Sequence, residues 1–166
     1  QENTPSWLFM VRGKAVKINS QKDDGFKCTF ESTRNVAFTD RPFHKIQSIE
    51  SMELHSILKQ MIYKEKNPPN TTISFASFGK KDIHSVVEII NVEKPDIEYP
   101  NKIILDCKFL TEKINLDGKY STVDLTIDSA WLSNTYNNEN EQKGILTSIE
   151  TATENKTFLN AIFRAV

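Results

Sequence analysis

One stripe of apolar residues recurs at helical spacing. Leu54, Ile57, Leu58, Met61 and Ile62 fall at i, i+3, i+4, i+7 and i+8. On either side of it, out to residue 128, the patterned runs alternate with a period of two. A chain with one helical face and many strand-like runs has few ways to bury itself. The pattern predicts a mainly β protein (α+β by content), an antiparallel β-sandwich or open barrel with one amphipathic helix at about 49–64.

The strand-like runs are 7–18, 26–31, 36–39, 72–78, 85–92, 102–110 and 122–128. Gly13 interrupts the first and is a candidate bulge. Asp24-Gly25 reads as a two-residue hairpin signal, and residues 32–35 as a short turn. Ser48 or Ser51 is placed to cap the helix, with Glu50 and Glu53 near its positive end. The helix's polar face is expected to carry Glu53, Lys59, Gln60 and Lys64. Asn67-Pro68-Pro69-Asn70 ends the helix, because proline donates no backbone hydrogen bond. Residues 134–143, rich in Asn and Glu, read as a long loop, and the apolar run 157–166 as a docked last strand or short helix.

With 166 residues and no linker or internal repeat, the chain is expected to form a single domain, 1–166. At that size a chain buries about 68–70% of its unfolded surface and needs no metal or disulfide framework to fold. The formal charge of −1 provides no bulk attraction for nucleic acid, so no nucleic-acid partner is expected. No apolar run is long enough for a membrane span. The chain begins at Gln1 rather than Met, which is read as the mark of a removed signal peptide and a secreted or periplasmic protein. A trimmed cytosolic chain is the alternative. Cys28 and Cys107 both lie in strand-like runs on inward-reading faces. They are either a disulfide or two buried thiols.

Residues 35–44 hold the densest chemistry in the chain. Pro42 fixes its own φ and extends Arg41, and adjacent residues on an extended chain point to opposite sides, so Asp40 and Arg41 diverge. One reading makes Asp40-Arg41-Pro42 a corner that locks strand to helix. Asp40 would cap the turn and Arg41 would pair with Glu88 or Asp106. The other makes Arg41 an anion clamp with His44 as an acid–base or metal group. Trp131 and Tyr136 beside the polar loop are candidates to line a sugar or peptide groove, with Tyr99 and Tyr120 also available. Asp106, Asp124 and Asp128 would act as a carboxylate pair only if their strands were neighbours.

No motif assigns a reaction. A zinc triad of His44, His55 and His84 lacks ligand spacing, no G-x-S-x-G elbow is present, and five glycines leave no phosphate-binding loop. No metal and no cofactor are expected. The order Trp7-Leu8-Phe9, Val36-Ala37-Phe38-Thr39-Asp40-Arg41-Pro42-Phe43-His44, Asn67-Pro68-Pro69-Asn70 and Ser85-Val86-Val87-Glu88-Ile89 resembles a family of uncharacterised small secreted proteins from bacteria and marine algae. That family carries an S/T-D-R-P corner, a P-P-N motif and a V-V-E-L strand, and Leu125 to Asp128 also has a counterpart in it. The resemblance covers residues 7–128 and implies secretion and domain identity without implying a chemistry. The resulting expectation is a secreted or periplasmic β-sandwich acting as a non-catalytic binding module for a ligand or protein partner. The alternatives are a hydrolase or metal-dependent enzyme around Asp40, Arg41 and His44, and a structural or assembly subunit.

Overall fold

A computed structural model, which describes residues 7–128 apart from 22–23, 40–43, 65 and 117, holds seven strands with one helical segment inserted among them. The strands are β1 (Leu8–Gln21), β2 (Gly25–Thr39), β3 (Lys45–Ser48), β4 (Asn70–Ala76), β5 (Ile83–Val92), β6 (Lys102–Phe109) and β7 (Thr122–Asp128). Between β3 and β4 lie helix α1 (Ser51–Lys59) and a π-helical turn, Gln60–Lys64. The runs 134–143 and 157–166 lie outside the described residues.

All pairings are antiparallel, in the order β1-β7-β4-β5-β6-β2-β3, and β1 also pairs with β2. That last pairing closes six strands into a barrel, with β3 attached to the outer half of β2. The mainly β expectation holds, but the sheet is a closed barrel rather than a sandwich or an open barrel. The cause lies in β1 and β2. Both are long enough to pair with each other and, along part of their length, with a second neighbour each. Closure removes the edges that a sandwich would leave open.

β2 runs unbroken through residues 32–35, where a turn was expected. A bulge takes the turn's place: Arg12 faces Arg34 and Gly13 faces Ser32, so Thr33 has no Cα partner. Thr33 Oγ1 donates to the Arg12 carbonyl at 3.1 Å. The bulge bends β2, whose first half pairs with β6 and whose last four residues pair with β3. Gly13 sits at the bulge for steric reasons. A Cβ there would lie 2.5 Å from the Glu31 carbonyl oxygen and 2.5 Å from Phe30 Cδ2. Two further bulges leave Val16 and Ile90 without Cα partners. The β1–β2 loop has three residues rather than two, since Gln21 faces Gly25. Asp24 takes the positive φ of 63°, while Gly25 is required by the close approach of the Cys107 carbonyl.

The barrel interior is filled by side chains. Phe9, Phe26, Phe30, Phe75, Ile73, Ile89, Ile103 and Leu105 are fully buried. Phe26 stacks edge-on against Phe75, centroids 5.8 Å apart, and touches Phe109 at 5.1 Å. Leu54, Ile57, Leu58, Met61 and Ile62 join the same core, as their spacing predicts, with α1 against β2, β5 and β6. The cap of α1 is Glu50, not Ser48 or Ser51. Glu50 and Glu53 form a reciprocal capping box in which the Glu50 N–H donates to Glu53 Oε2 at 2.9 Å. Glu53 is therefore buried rather than on a solvent face, and Gln60 is buried as well. The helical segment ends on Lys66 at φ 55°, with the Asn67 N–H bonded to the Met61 carbonyl before either proline.

Cys28 and Cys107 are free, buried thiols on adjacent strands. Cys28 faces Leu105 and Cys107 faces Phe26, so the two are offset diagonally inside the barrel. Burial pushes the Cys28 thiol up to about 12 and the Cys107 thiol well above its ordinary value.

Three outcomes follow from this packing. Gly13→Ala should lower the stability read from the urea midpoint by about 1–3 kcal/mol, because neither a backbone carbonyl nor a packed phenyl ring yields easily. A change within about 0.5 kcal/mol would show that the seam can relax. The thiols should be inert to a disulfide reagent at pH 8 in the native protein, and both should react in denaturant; no reacting thiol in denaturant would mean that they are bridged. With folded-state pKa values above those of the unfolded chain, stability should be full below pH 9 and fall as the pH rises toward 12.

Candidate functional site: a groove across Pro100 and Asn101

The β1–β2 bulges, the start of α1 and the β5–β6 loop meet at one end of the barrel. Two depressions adjoin there and share Pro100 and Asn101. The larger, about 590 Å³, is lined by Ser32, Arg34, Asn35, Glu50, Ser51 and Met52 among others. The smaller, about 450 Å³, is lined by Val16, Glu31, Glu98, Tyr99 and Lys102. Both volumes lie in the range of small-molecule sites. Two of the lining residues, Thr33 and Val16, are bulge residues pushed out of the ladder.

A chain of hydrogen bonds fixes the larger depression. Ser32 Oγ donates to Asn35 Oδ1 at 2.7 Å, and Asn35 Nδ2 donates to Ser51 Oγ at 3.2 Å. Ser51 Oγ in turn donates to Asn101 Oδ1 at 2.9 Å. Backbone bonds hold the same elements together, from the Ser32 N–H to the Asn101 carbonyl at 2.8 Å and from the Ile49 N–H to the Asn35 carbonyl at 2.9 Å. Ser32, Asn35 and Ser51 are buried, so each hydrogen bond replaces solvation that burial removed. Asn101 enters this chain through its Oδ1, so its amide NH₂ is not used by it. The Arg34 guanidinium is exposed and makes no ion pair among the described residues.

The smaller depression carries the apolar surface. Tyr99 is 62% exposed, yet its backbone is braced: its N–H bonds to the Asp96 carbonyl, and its own carbonyl accepts the Lys102 N–H. Asp96 Oδ1 accepts the Glu98 N–H at 2.9 Å, an Asx turn. The aromatic ring is therefore presented on a loop stiffened by Pro95, Pro100 and three local hydrogen bonds.

The residues singled out from sequence are not gathered here. Asp40, Arg41, Trp131 and Tyr136 lie outside the described residues. His44 is exposed at the start of β3, His55 is buried in α1, and His84 stands on the outer barrel wall, so the three histidines do not converge. Among the described residues no three of His, Cys, Asp and Glu come together around a metal position. Asp106 is separated from Asp124 and Asp128 by β4 and β5, which rules out their meeting as a pair. Asp106 is instead occupied by Lys27 at 3.3 Å and by Asn91 Nδ2 at 2.8 Å. Trp7 and Phe9 are core residues, and Tyr120 packs on Phe75 at 5.3 Å.

A serine and a histidine do meet on the outer wall: Ser74 Oγ and His84 Nδ1 are 2.7 Å apart. Asp124, facing Ser74 in register, is bonded to Arg12 Nε at 2.6 Å and does not orient the imidazole. The row Arg12–Asp124–Ser74–His84 is thus a line of cross-strand pairs on a convex wall, without the third member that a nucleophilic triad needs. Arg34 and Asn35 were not legible as groove residues because 32–35 reads as a turn, Ser51 read only as a helix cap, and Asn101 lies fifty residues from it with no local motif to join them. The available signal was the pair Ser32 and Asn35 at a spacing that breaks strand alternation.

Comparison with family models, with curated proteins and with solved structures finds no match to this chain. No described helix is long and apolar enough to cross a membrane.

His55 anchors the α1 end of the groove. Its Nδ1 bonds the Ser51 carbonyl at 2.9 Å, which requires the N–H on Nδ1, and burial lowers its pKa from the ordinary value of 6.5. A depressed histidine pKa means the unfolded chain takes up the proton first. Stability should therefore be full above pH 6.5 and fall as the pH drops below it, and His55→Gln should flatten that slope between pH 7 and 5 in urea titrations. An unaltered slope would contradict a neutral, buried His55.

Proposed function

We propose that the protein is a non-catalytic binding module of a secreted or periplasmic compartment, with a saccharide chain as its ligand. The observation that carries this reading is the pairing of two adjoining depressions across Pro100 and Asn101, one polar and one with an exposed tyrosine. A sugar ring offers an apolar C–H face and a rim of hydroxyls that both donate and accept. Tyr99, Val16 and Pro100 suit the face. Asn101, Arg34 and Glu50 suit the rim, with donors and an acceptor held on separate elements. The floor is fixed before any ligand arrives, so binding would cost little ordering of side chains. The resemblance of the Asp40-Arg41-Pro42 and Pro68-Pro69-Asn70 segments to a secreted family supports the compartment.

The test is an oligosaccharide array, followed by calorimetry with the best binder. Arg34→Ala and Tyr99→Ala should each weaken binding at least about tenfold, on the order of 1.4 kcal/mol, with unchanged melting temperatures. Both side chains are exposed, so neither change removes core packing. The ligand should be recovered intact by mass spectrometry. Failure to bind any oligosaccharide at millimolar concentration, or binding that both variants leave unaltered, would refute the proposal. A shortened product would replace it with a hydrolase.

A further inference from the structure

The end of the barrel away from the groove carries a feature that the fold itself does not use. β4 and β5 are joined by residues 77–82, and Phe78 at that hairpin's tip is fully exposed, at 101%. Gly79 follows at φ 77°, and a Cβ built on it meets nothing within 4 Å, so the tip stands clear of the barrel. Its root is held firmly. The Ala76 carbonyl accepts both the Ser121 N–H at 2.7 Å and Ser121 Oγ at 3.0 Å, and Phe75 faces Ile83 in register. A braced stalk thus presents one large apolar ring to solvent, although burying that ring elsewhere would be favourable.

The surroundings of the ring are cationic. Lys80 and Lys81 follow directly, and Lys119 is two residues before the Ser121 that ties the root. All three are exposed and make no ion pair among the described residues. Asp82 is the acid in the same loop, and Glu112 with Lys113 lies on the β6–β7 connection, where the two charges offset. The whole-chain charge of −1 conceals this local excess. Leu110, 44% exposed, is on the same end of the barrel and bonds through its N–H to the Val86 carbonyl.

We propose that the 77–82 hairpin tip docks the protein on an anionic membrane surface, with Phe78 entering the headgroup–acyl boundary and Lys80, Lys81 and Lys119 facing lipid phosphates or carboxylates. The shape favours a lipid over a protein. A convex knob on a narrow turn needs a preformed pocket in a protein, whereas a fluid interface closes around it. An aromatic ring with flanking lysines matches the layering of that interface, apolar below and anionic above. The strand directions place the groove at the opposite barrel end, so a docked molecule would keep it open to solvent.

The experiment is co-sedimentation of the full chain with vesicles of phosphatidylcholine and phosphatidylserine in equal parts, against pure phosphatidylcholine. Binding should occur on the mixed vesicles, weaken as salt is raised, and be near background on the neutral ones. Phe78→Ser should lower the partition coefficient at least about fivefold, and Lys80→Ala and Lys81→Ala about fivefold each. The melting temperature should not move, because the ring touches no core residue, which separates loss of docking from loss of folding. Equal pelleting with both vesicle types, no pelleting with either, or Phe78→Ser binding like the parent would each overturn the proposal. The second result would leave the knob to a protein partner.

Discussion

The pairing of β1 with β2 is the contact on which the rest of this molecule depends. It joins the two ends of a six-strand sheet, and it does so in an irregular register. Where Gly13 lets the Phe30 ring and the Glu31 carbonyl approach, the ladder slips, Thr33 is displaced, and β2 bends away from β6 toward β3. Beyond the bulge, residues 34–38 stay paired with β1, while the other neighbour of β2 changes from β6 to β3. The chain then enters α1 beside Asn35, with the Ile49 N–H on the Asn35 carbonyl. The steric requirement at one glycine is thus linked to the position of the helix, and through Ser51 to the floor of the groove.

The groove is a by-product of the same irregularities. Regular strands present alternate residues to the core and to solvent, and they leave a smooth wall. The bulges at Thr33 and Val16 break that wall at two places on the closing seam, and the β5–β6 loop with Tyr99 and Asn101 rises beside them. The polar residues at the junction are buried and mutually satisfied, which makes the site stiff. Removing one member leaves its partners desolvated and unpaired, a loss of roughly 1–3 kcal/mol for each buried group. A third bulge, at Ile90, brings Asn91 into register with Asp106. There Lys27, Glu93 and the Tyr63 hydroxyl complete a polar latch between the π-helical turn and the barrel wall.

Much of the architecture was legible in the sequence, and the reason is periodicity. Residues 122–128 alternate cleanly, and the strand there has those bounds. The stripe from Leu54 to Ile62 is the buried face of the helical segment. Closure was not legible, because alternation records which face of a strand is wet and not which neighbour it pairs with. The turn expected at 32–35 failed for a related reason: Ser, Thr, Arg and Asn suit a turn, but a bulge satisfies the same polar groups without reversing the chain. The cap expected at Ser48 or Ser51 falls between them because serine caps more often than glutamate, while here Glu50 and Glu53 cap reciprocally. The site was least legible. Its members come from β2, α1 and the β5–β6 loop, so no local motif unites them, and the dense run 35–44 drew attention to its far end rather than to Asn35.

Ser51 and Asn101, fifty residues apart, act as one unit that ties the helix to the barrel and sets the groove. A double-mutant cycle on Ser51→Ala and Asn101→Ala, read by urea denaturation, tests it most directly. The two losses should not add, with a coupling of about 0.5–3 kcal/mol. Additive losses would contradict it, since they would mean that the two side chains stabilise the fold independently and that the groove floor is not a connected network.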